Sequence, residues 1–174
     1  KQDNLAQVDT DFVETPDQKT AYIGAEGAQS KGFEIEVVGQ PIDGWNISAG
    51  YTQFTIEDAQ GNDLNTDNAT KSLKLFTSYE FGGALQNLML GGGVNWQNET
   101  YSEGINPIGQ ADRLTQEAYA LVSLMARYNF TDDLSAQFNA ANVTDEKYYS
   151  QVGYFSTYRY GTPRNYTISL NYKF

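Results

Sequence analysis

Two residue types are missing from this chain of 174 residues: cysteine and histidine. Without cysteine there is no disulfide and no thiolate metal site. Without histidine there is no Ser-His-Asp triad, no HExxH zinc site and no imidazole acid–base chemistry. The chain is therefore not expected to be an enzyme. Positive charge is scarce: 11 Lys and Arg stand against 22 Asp and Glu, a formal net charge of −11. No basic patch is offered to phosphate, which argues against nucleic acid as a partner. Mean hydropathy is −0.55, and no run of about 18 apolar residues occurs, so no transmembrane helix is encoded. A membrane barrel survives that exclusion, because its strands alternate apolar and polar residues and hide from a hydropathy plot. The chain opens Lys1-Gln2-Asp3, with no Met and no signal peptide, and reads as a processed or truncated piece.

What is present favours β-structure with many turns: 13 Tyr, 9 Phe, 2 Trp and 16 Gly against 4 Pro. The closing stretch "RNYTISLNYKF" shows the pattern. Tyr166, Ile168, Leu170, Tyr172 and Phe174 are apolar or aromatic, and Asn165, Thr167, Ser169, Asn171 and Lys173 are polar. Such alternation predicts a strand with one apolar and one polar face, running to the last residue. The same test finds Phe33, Ile35 and Val37 opposite Glu34 and Glu36, with Val38 as an exception, and Trp45, Ile47, Ala49 and Tyr51 opposite Asn46, Ser48 and Thr52. Leu73, Leu75, Tyr79 and Phe81 oppose Ser72, Lys74, Ser78 and Glu80; Leu88, Leu90, Val94 and Trp96 oppose Asn95 and Gln97. Residues 118–130 carry an unbroken apolar face, Ala118 to Phe130 at every second position, and Leu134, Ala136, Phe138 and Ala140 rise opposite Ser135, Gln137 and Asn139. This gives about seven strands from Ser30 onward. Residues 1–29 read as an extended loop, with "TAYIGAE" (20–26) beginning the strand that continues through Phe33.

Connections alternate in length. Residues 41–44, 82–87 and 131–133 are tight turns; 57–70, 102–116 and 145–162 are long and polar. Outer-membrane barrels sort their loops this way, with short periplasmic turns and long extracellular loops. Trp45, Phe81, Tyr128, Phe130, Tyr172 and Phe174 fall near the short-turn end, as an interfacial aromatic girdle requires. The second face carries Glu, Gln, Asn, Ser, Thr and Lys, where a soluble barrel or sandwich would carry Val, Ile and Leu. The fold class expected is all-β, an antiparallel transmembrane β-barrel. The odd strand count points to a piece of a larger one, since bacterial single-chain barrels have even counts.

Three segments resemble a known family. "SKGFEIEVVGQPIDGWNISAGYT" (30–52) is similar to a Ser-Lys/Arg-Gly-x-Glu strand, turn and Gly-Trp-x-x-x-x-Gly-Tyr strand. "NVTDEKYY" (142–149) resembles an Asn-Leu-x-Asp-x-x-Tyr-Tyr segment, and "YGTPRNYTISLNYKF" (160–174) a Tyr-Gly-x-Pro-Arg opening to a last strand with terminal Phe. In that order and spacing they are the marks of TonB-dependent ferric-siderophore receptors. Gln29, where Arg is common, and Val143, where Leu is common, are the departures. The resemblance covers about residues 20–174 and implies a barrel of about 22 strands. This chain, 1–174, would be the C-terminal portion: 1–29 loop and strand start, 30–174 strands, and neither plug domain nor TonB box. It further implies a Gram-negative outer-membrane receptor that takes up ferric siderophore as cargo, with no resident cofactor and a periplasmic C-terminus. Its partners would be the siderophore, TonB through the missing N-terminal region, outer-membrane lipid and lipopolysaccharide, and the barrel assembly machinery.

Tyr148, Tyr149, Tyr154, Phe155, Tyr158 and Tyr160 crowd the last long segment. Tyr154, Phe155 and Tyr158, with Arg159, are candidate ligand contacts at the barrel mouth; loop packing and an interfacial tyrosine rim are the alternative. Arg113, Arg127 and Arg164 are further candidates for an anionic ligand, and Arg127 is expected to pair with lumen carboxylates such as Glu34, Glu36 or Glu80. Glu57, Asp58, Asp63 and Asp67 do not have the spacing of an EF-hand, and a solvated loop is the simpler reading, so no metal site is expected. Tyr166, Ile168, Leu170, Tyr172 and Phe174 resemble the signal read by the assembly machinery. Two other classes stay open: a self-contained small outer-membrane barrel, adhesive or structural, and a soluble carbohydrate-binding β-sandwich.

Overall fold

The computed structural model describes residues 5–8, 21–25, 27–64, 67–105, 108–153 and 157–174. It forms two compact units, one of Lys1–Phe33 with Phe54–Thr66, the other of Glu34–Gln53 with Asp67–Phe174. In the smaller unit β1 (Leu5–Val8) pairs antiparallel with β2 (Tyr22–Ala25). The 20–33 stretch is thus not one strand: β2 ends at Ala25, and Gly27 takes a positive φ of 85° that turns the chain before β3 begins. Asp58 closes a turn here, its carboxylate accepting the Gln60 and Asn62 backbone N–H groups at 2.9 and 2.8 Å and the Asn62 side-chain amide at 2.9 Å.

Seven strands form one antiparallel sheet: β3 (Gln29–Ile42), β4 (Trp45–Glu57), β5 (Lys71–Glu80), β6 (Leu88–Gln97), β9 (Tyr119–Asn129), β10 (Leu134–Ala141) and β13 (Asn165–Tyr172). Their order is the chain order, as in an up-and-down meander. β13 stops two residues before the end, although the Lys173 N–H still reaches the Asp133 carbonyl at 2.9 Å. The turns suit their sequences. Gly44 takes a φ of 81° between β3 and β4. The Thr131 hydroxyl accepts the N–H groups of Asp133 and Leu134 at 3.2 and 3.0 Å and folds the chain between β9 and β10. A 3₁₀ turn, Gly83–Leu85, makes the connection between β5 and β6.

Two of the long segments hold hairpins. β7 (Thr100–Ile105) pairs with β8 (Ala111–Gln116), and β11 (Tyr149–Gly153) with β12 (Thr157–Tyr160). The polar composition had concealed their local pairing.

Cross-strand register confirms the two faces. Leu73 stands beside Tyr51 and Trp96, Leu90 beside Tyr79 and Ala126, and Phe138 beside Ala126 and Ile168. This apolar face is uncovered: Leu124 is 53% and Ile168 77% exposed. A sandwich would lay a second sheet on it; among the described residues only Ala28, Ala140 and Val152 are buried and apolar. Aromatic pairs mark its short-turn end, Tyr79 with Phe81 at 5.0 Å and Tyr128 with Phe130 at 5.1 Å between ring centres. The Trp45 indole donates to the Thr77 hydroxyl at 2.8 Å, so it carries no unmet donor there.

The other face is less uniformly polar than its alternation suggests. Lys74, Ser78, Asn95, Ser123, Arg127 and Gln137 lie on it, but so do Phe76, Met89, Leu121 and Met125. Gly91 and Gly93 make the room. A Cβ built at Gly91 would lie 3.2 Å from the Met125 methyl, and one at Gly93 3.3 Å from the Phe76 ring. Arg127 does not pair with Glu34, Glu36 or Glu80; among the described residues it forms no ion pair. Cross-strand spacing is the reason. Met89 sits between Glu80 and Arg127 in register, about 10 Å of sheet. Both charges line one groove of about 230 Å³. A second, of about 260 Å³, is lined by Glu34, Glu36, Lys74 and Phe76 among others.

Candidate functional site

The side chains suited to ligand contact gather on the two hairpins that leave the sheet at its long-connection end. In β11–β12 the register sets Tyr149 against Tyr160 and Val152 against Tyr158, with Gln151 against Arg159 on the opposite side. Tyr149, Tyr158 and Tyr160 therefore share a face. Their ring centres are 4.6, 5.1 and 5.7 Å apart. Tyr158 and Tyr160 are 49% and 68% exposed, so this tyrosine surface is open to a flat or aromatic partner. The Tyr160 phenol, hydrogen-bonded to Tyr149, pushes the Tyr149 pKa above its ordinary value, and partial desolvation adds to the shift. Arg159 is exposed on the reverse side, and among the described residues its guanidinium has no ion-pair partner.

On β7–β8, Arg113 lies over the Tyr101 ring, 3.4 Å from its centre, with Glu103 3.9 Å from Nε. The guanidinium is thereby stacked and half neutralised rather than offered as a free cation. Arg164 is also engaged, beside Asp145 at 4.0 Å.

The base of β11–β12 is built by the two segments "NVTDEKYY" and "YGTPR". Asn142 is buried with a φ of 51°. Its amide donates to the Glu146 and Thr162 carbonyls at 2.9 and 3.2 Å and accepts from the Glu146 N–H at 2.8 Å. The Arg164 N–H donates to the Asp145 carboxylate at 3.2 Å, and the Gly161 N–H to the Tyr148 carbonyl at 2.8 Å. Gly161 lies flat on the Tyr148 ring, leaving no room for a Cβ. The motif residues thus clasp the two ends of the last long connection.

Of the sequence candidates, Tyr158 and Arg159 sit on β12 facing opposite ways, and Tyr154 and Phe155 lie outside the described residues. Tyr166, Ile168, Leu170, Tyr172 and Phe174 are all exposed on the apolar face and just beyond it. Tyr149 and Tyr160, among the rings that crowd this segment in the sequence but not among its candidate ligand contacts, are the ring partners of Tyr158; the alternation in "TYRY" was the available signal for Tyr160. Among the described residues no cluster of metal-ligating side chains occurs.

The family model described as TonB dependent receptor-like, beta-barrel, matches residues 1–143. The chain is 39% identical to the ferripyoverdine receptor of Pseudomonas aeruginosa across 99% of its own length and 22% of the relative's. It is 40% identical to the ferric-pyoverdine BN7/BN8 receptor of Pseudomonas putida across 100% of its length and 19% of the relative's. The crystal structure of the P. aeruginosa outer-membrane receptor bound to ferripyoverdine superposes with a TM-score of 0.86 at 39% identity, over 98% of this chain and 23% of that one. The chain spans about a fifth of the length of the curated relatives it matches. A single-layer meander, apolar on one side and open on both, is accounted for by that match: this chain belongs to the β-barrel family of TonB-dependent receptors, which are outer-membrane proteins.

Proposed function

We propose that this chain forms wall and outer loops of a receptor that takes up a ferric siderophore of the pyoverdine class through the outer membrane, energised by TonB. The observation that carries the reading is identity near 40% along the whole chain to two ferric-pyoverdine receptors. In this reading the apolar face meets lipid and lipopolysaccharide, and the polar face lines the lumen. The tight turns and the C-terminus are periplasmic, and the long hairpins are extracellular. The edges of β3 and β13, the two ends of the sheet order, pair with the remaining strands of a barrel of about 22. The N-terminal remainder of the receptor carries the plug and the TonB box. Tyr158 with Tyr149 and Tyr160, Arg159, and the neighbouring Tyr154 and Phe155 touch the chelate. Binding and transport need no covalent step from these side chains. The terminal aromatic strand, Tyr166 to Phe174, is the handle for the assembly machinery, because an exposed and registered strand is what edge-to-edge capture needs.

The test is uptake of radiolabelled iron as ferric pyoverdine by iron-starved cells. Deleting the full-length gene is expected to abolish uptake, and restoring it on a plasmid to recover it. Uptake that survives deletion, in a strain with no second pyoverdine receptor, would defeat the proposal.

A further inference from the structure

β7–β8 and β11–β12 belong to separate two-stranded sheets, yet one side chain is shared between their bases. Gln116, the last residue of β8, is 7% exposed. Its Oε1 accepts the backbone N–H of Tyr149, the first residue of β11, at 2.6 Å, and its Nε2 donates to the Glu117 carbonyl at 2.7 Å. A backbone N–H can only donate and a carbonyl can only accept, so the amide has one orientation that satisfies both. A second tie lies beside it: Tyr119 and Tyr148, each next to a hairpin base, stack with ring centres 4.5 Å apart and planes 30° from parallel. The surfaces nearby agree. Thr100, Ser102 and Gln116 are buried on one face of β7–β8, whereas Glu103 and Arg113 on the opposite face are exposed.

We propose that Gln116 is a positioning residue that joins the two hairpins into one extracellular leaf, so that the tyrosine face of β11–β12 is presented to the chelate already ordered. The inference rests on the proposed receptor function for its consequence, and on the hydrogen bonds alone for the joint. Two independent loops would each have to be immobilised on binding, whereas a joined leaf has met that cost beforehand. Gln116 is then felt by the ligand without touching it.

The test uses the full-length receptor with spin labels on cysteines at Gly104 and Gln151, where a Cβ at 104 meets no atom within 4 Å and the side chain of 151 is exposed. The distance between labels is measured without ligand, and ferric-pyoverdine affinity is measured beside it. Gln116→Leu keeps the bulk and leaves the Tyr149 N–H without an acceptor; Gln116→Glu keeps the acceptor. The Leu variant is expected to broaden the distance distribution about twofold and to weaken binding about tenfold, the penalty when about a tenth of the molecules remain joined. The Glu variant, which keeps the acceptor for Tyr149 but sets a carboxylate oxygen against the Glu117 carbonyl, should fall between the Leu variant and the parent in both. A distribution as narrow in Gln116→Leu as in the parent overturns the joint, and a broadened one with unchanged affinity overturns the positioning role. If Gln116→Leu does not reach the membrane, Tyr119→Leu, which removes the stack and leaves the Tyr148 ring on Gly161, is judged by the same widths. A parent receptor that binds no ferric pyoverdine defeats the function instead, while the widths still decide the joint.

Discussion

Single residues hold the last long connection at its base, and Asn142 bears the most. Replacing it with Ala strands the Glu146 N–H and the Thr162 carbonyl and puts a Cβ-bearing residue with no local hydrogen bond at positive φ. We expect a loss of about 2–3 kcal/mol, the scale of buried polar groups left unpaired. Gly at the same position should cost less, because the backbone cost vanishes. Unfolding of the detergent-refolded receptor measures both, and equal losses would contradict the backbone part. Asp58 offers a test with pH. Hydrogen bonds from Asn62, Gln60 and Gly61 hold its pKa below the ordinary carboxylate value. A depressed folded pKa gives order that is complete above the unfolded pKa and lost as pH falls through the folded one. Protection of the Gln60 and Asn62 amides, taken against their intrinsic exchange rates, should therefore persist down through the ordinary carboxylate range and fall only below it. Protection already lost near neutrality would show that the turn does not depend on the carboxylate.

At the scale of the strand, the two faces differ in what they tolerate. Leu124 lies on the apolar side and Ser123 on the polar side of β9. Leu124→Arg should cost about 2–4 kcal/mol if it lies near mid-bilayer, and Ser123→Arg much less. Equal losses would favour a two-sided core. Glycines give a second contrast. At Gly93 an added Cβ would come within 2.7 Å of the Leu75 carbonyl, while at Gly39 it meets nothing within 4 Å. Gly93→Ala is expected to destabilise by about 1–3 kcal/mol, and Gly39→Ala to be neutral or slightly stabilising. The alternation in 45–52 and 118–130 made the strands and faces legible, because period two survives whatever lies beside it. The Phe76 and Met125 island was not legible, since the space above Gly91 and Gly93 exists only once three strands are in register. Nor was the clasp, where Asn142 and Thr162 meet across 20 residues of chain. The hairpins within 100–116 and 149–160 were hidden by polar composition, and the pairing that sets Tyr158 and Arg159 on opposite sides of β12 was hidden with them.

For the whole molecule, the proposed orientation, with the tight turns periplasmic, can be read by labelling. Intact cells carrying single cysteines should be labelled from outside at Asn62 and not at Asp132. The opposite pattern would invert the topology. The β13 edge is exposed along all of Asn165–Tyr172, and Phe174 extends beyond it without cover. If that strand is the assembly handle, deleting Phe174 should cut insertion yield in cells several-fold. The purified, inserted mutant should shift by only about 1–3 kcal/mol, the scale of one aromatic side chain. Assembly at the parental yield would reduce Phe174 to an interfacial anchor.

The two tryptophans of the chain stand on the same apolar face at opposite ends of the strands. Trp45 is registered with Tyr79, and Trp96 with Leu73, on the shared neighbour β5. At about 3.3 Å per residue the two levels are about 20 Å apart along the strand, against an apolar band about 25 Å tall. The pair is a built-in depth gauge. In a receptor stripped of its other tryptophans, with one of these two also changed to Phe, lipids brominated in a single leaflet would darken one indole and spare the other. Emission followed during insertion would then show which rim of the wall crosses the bilayer first.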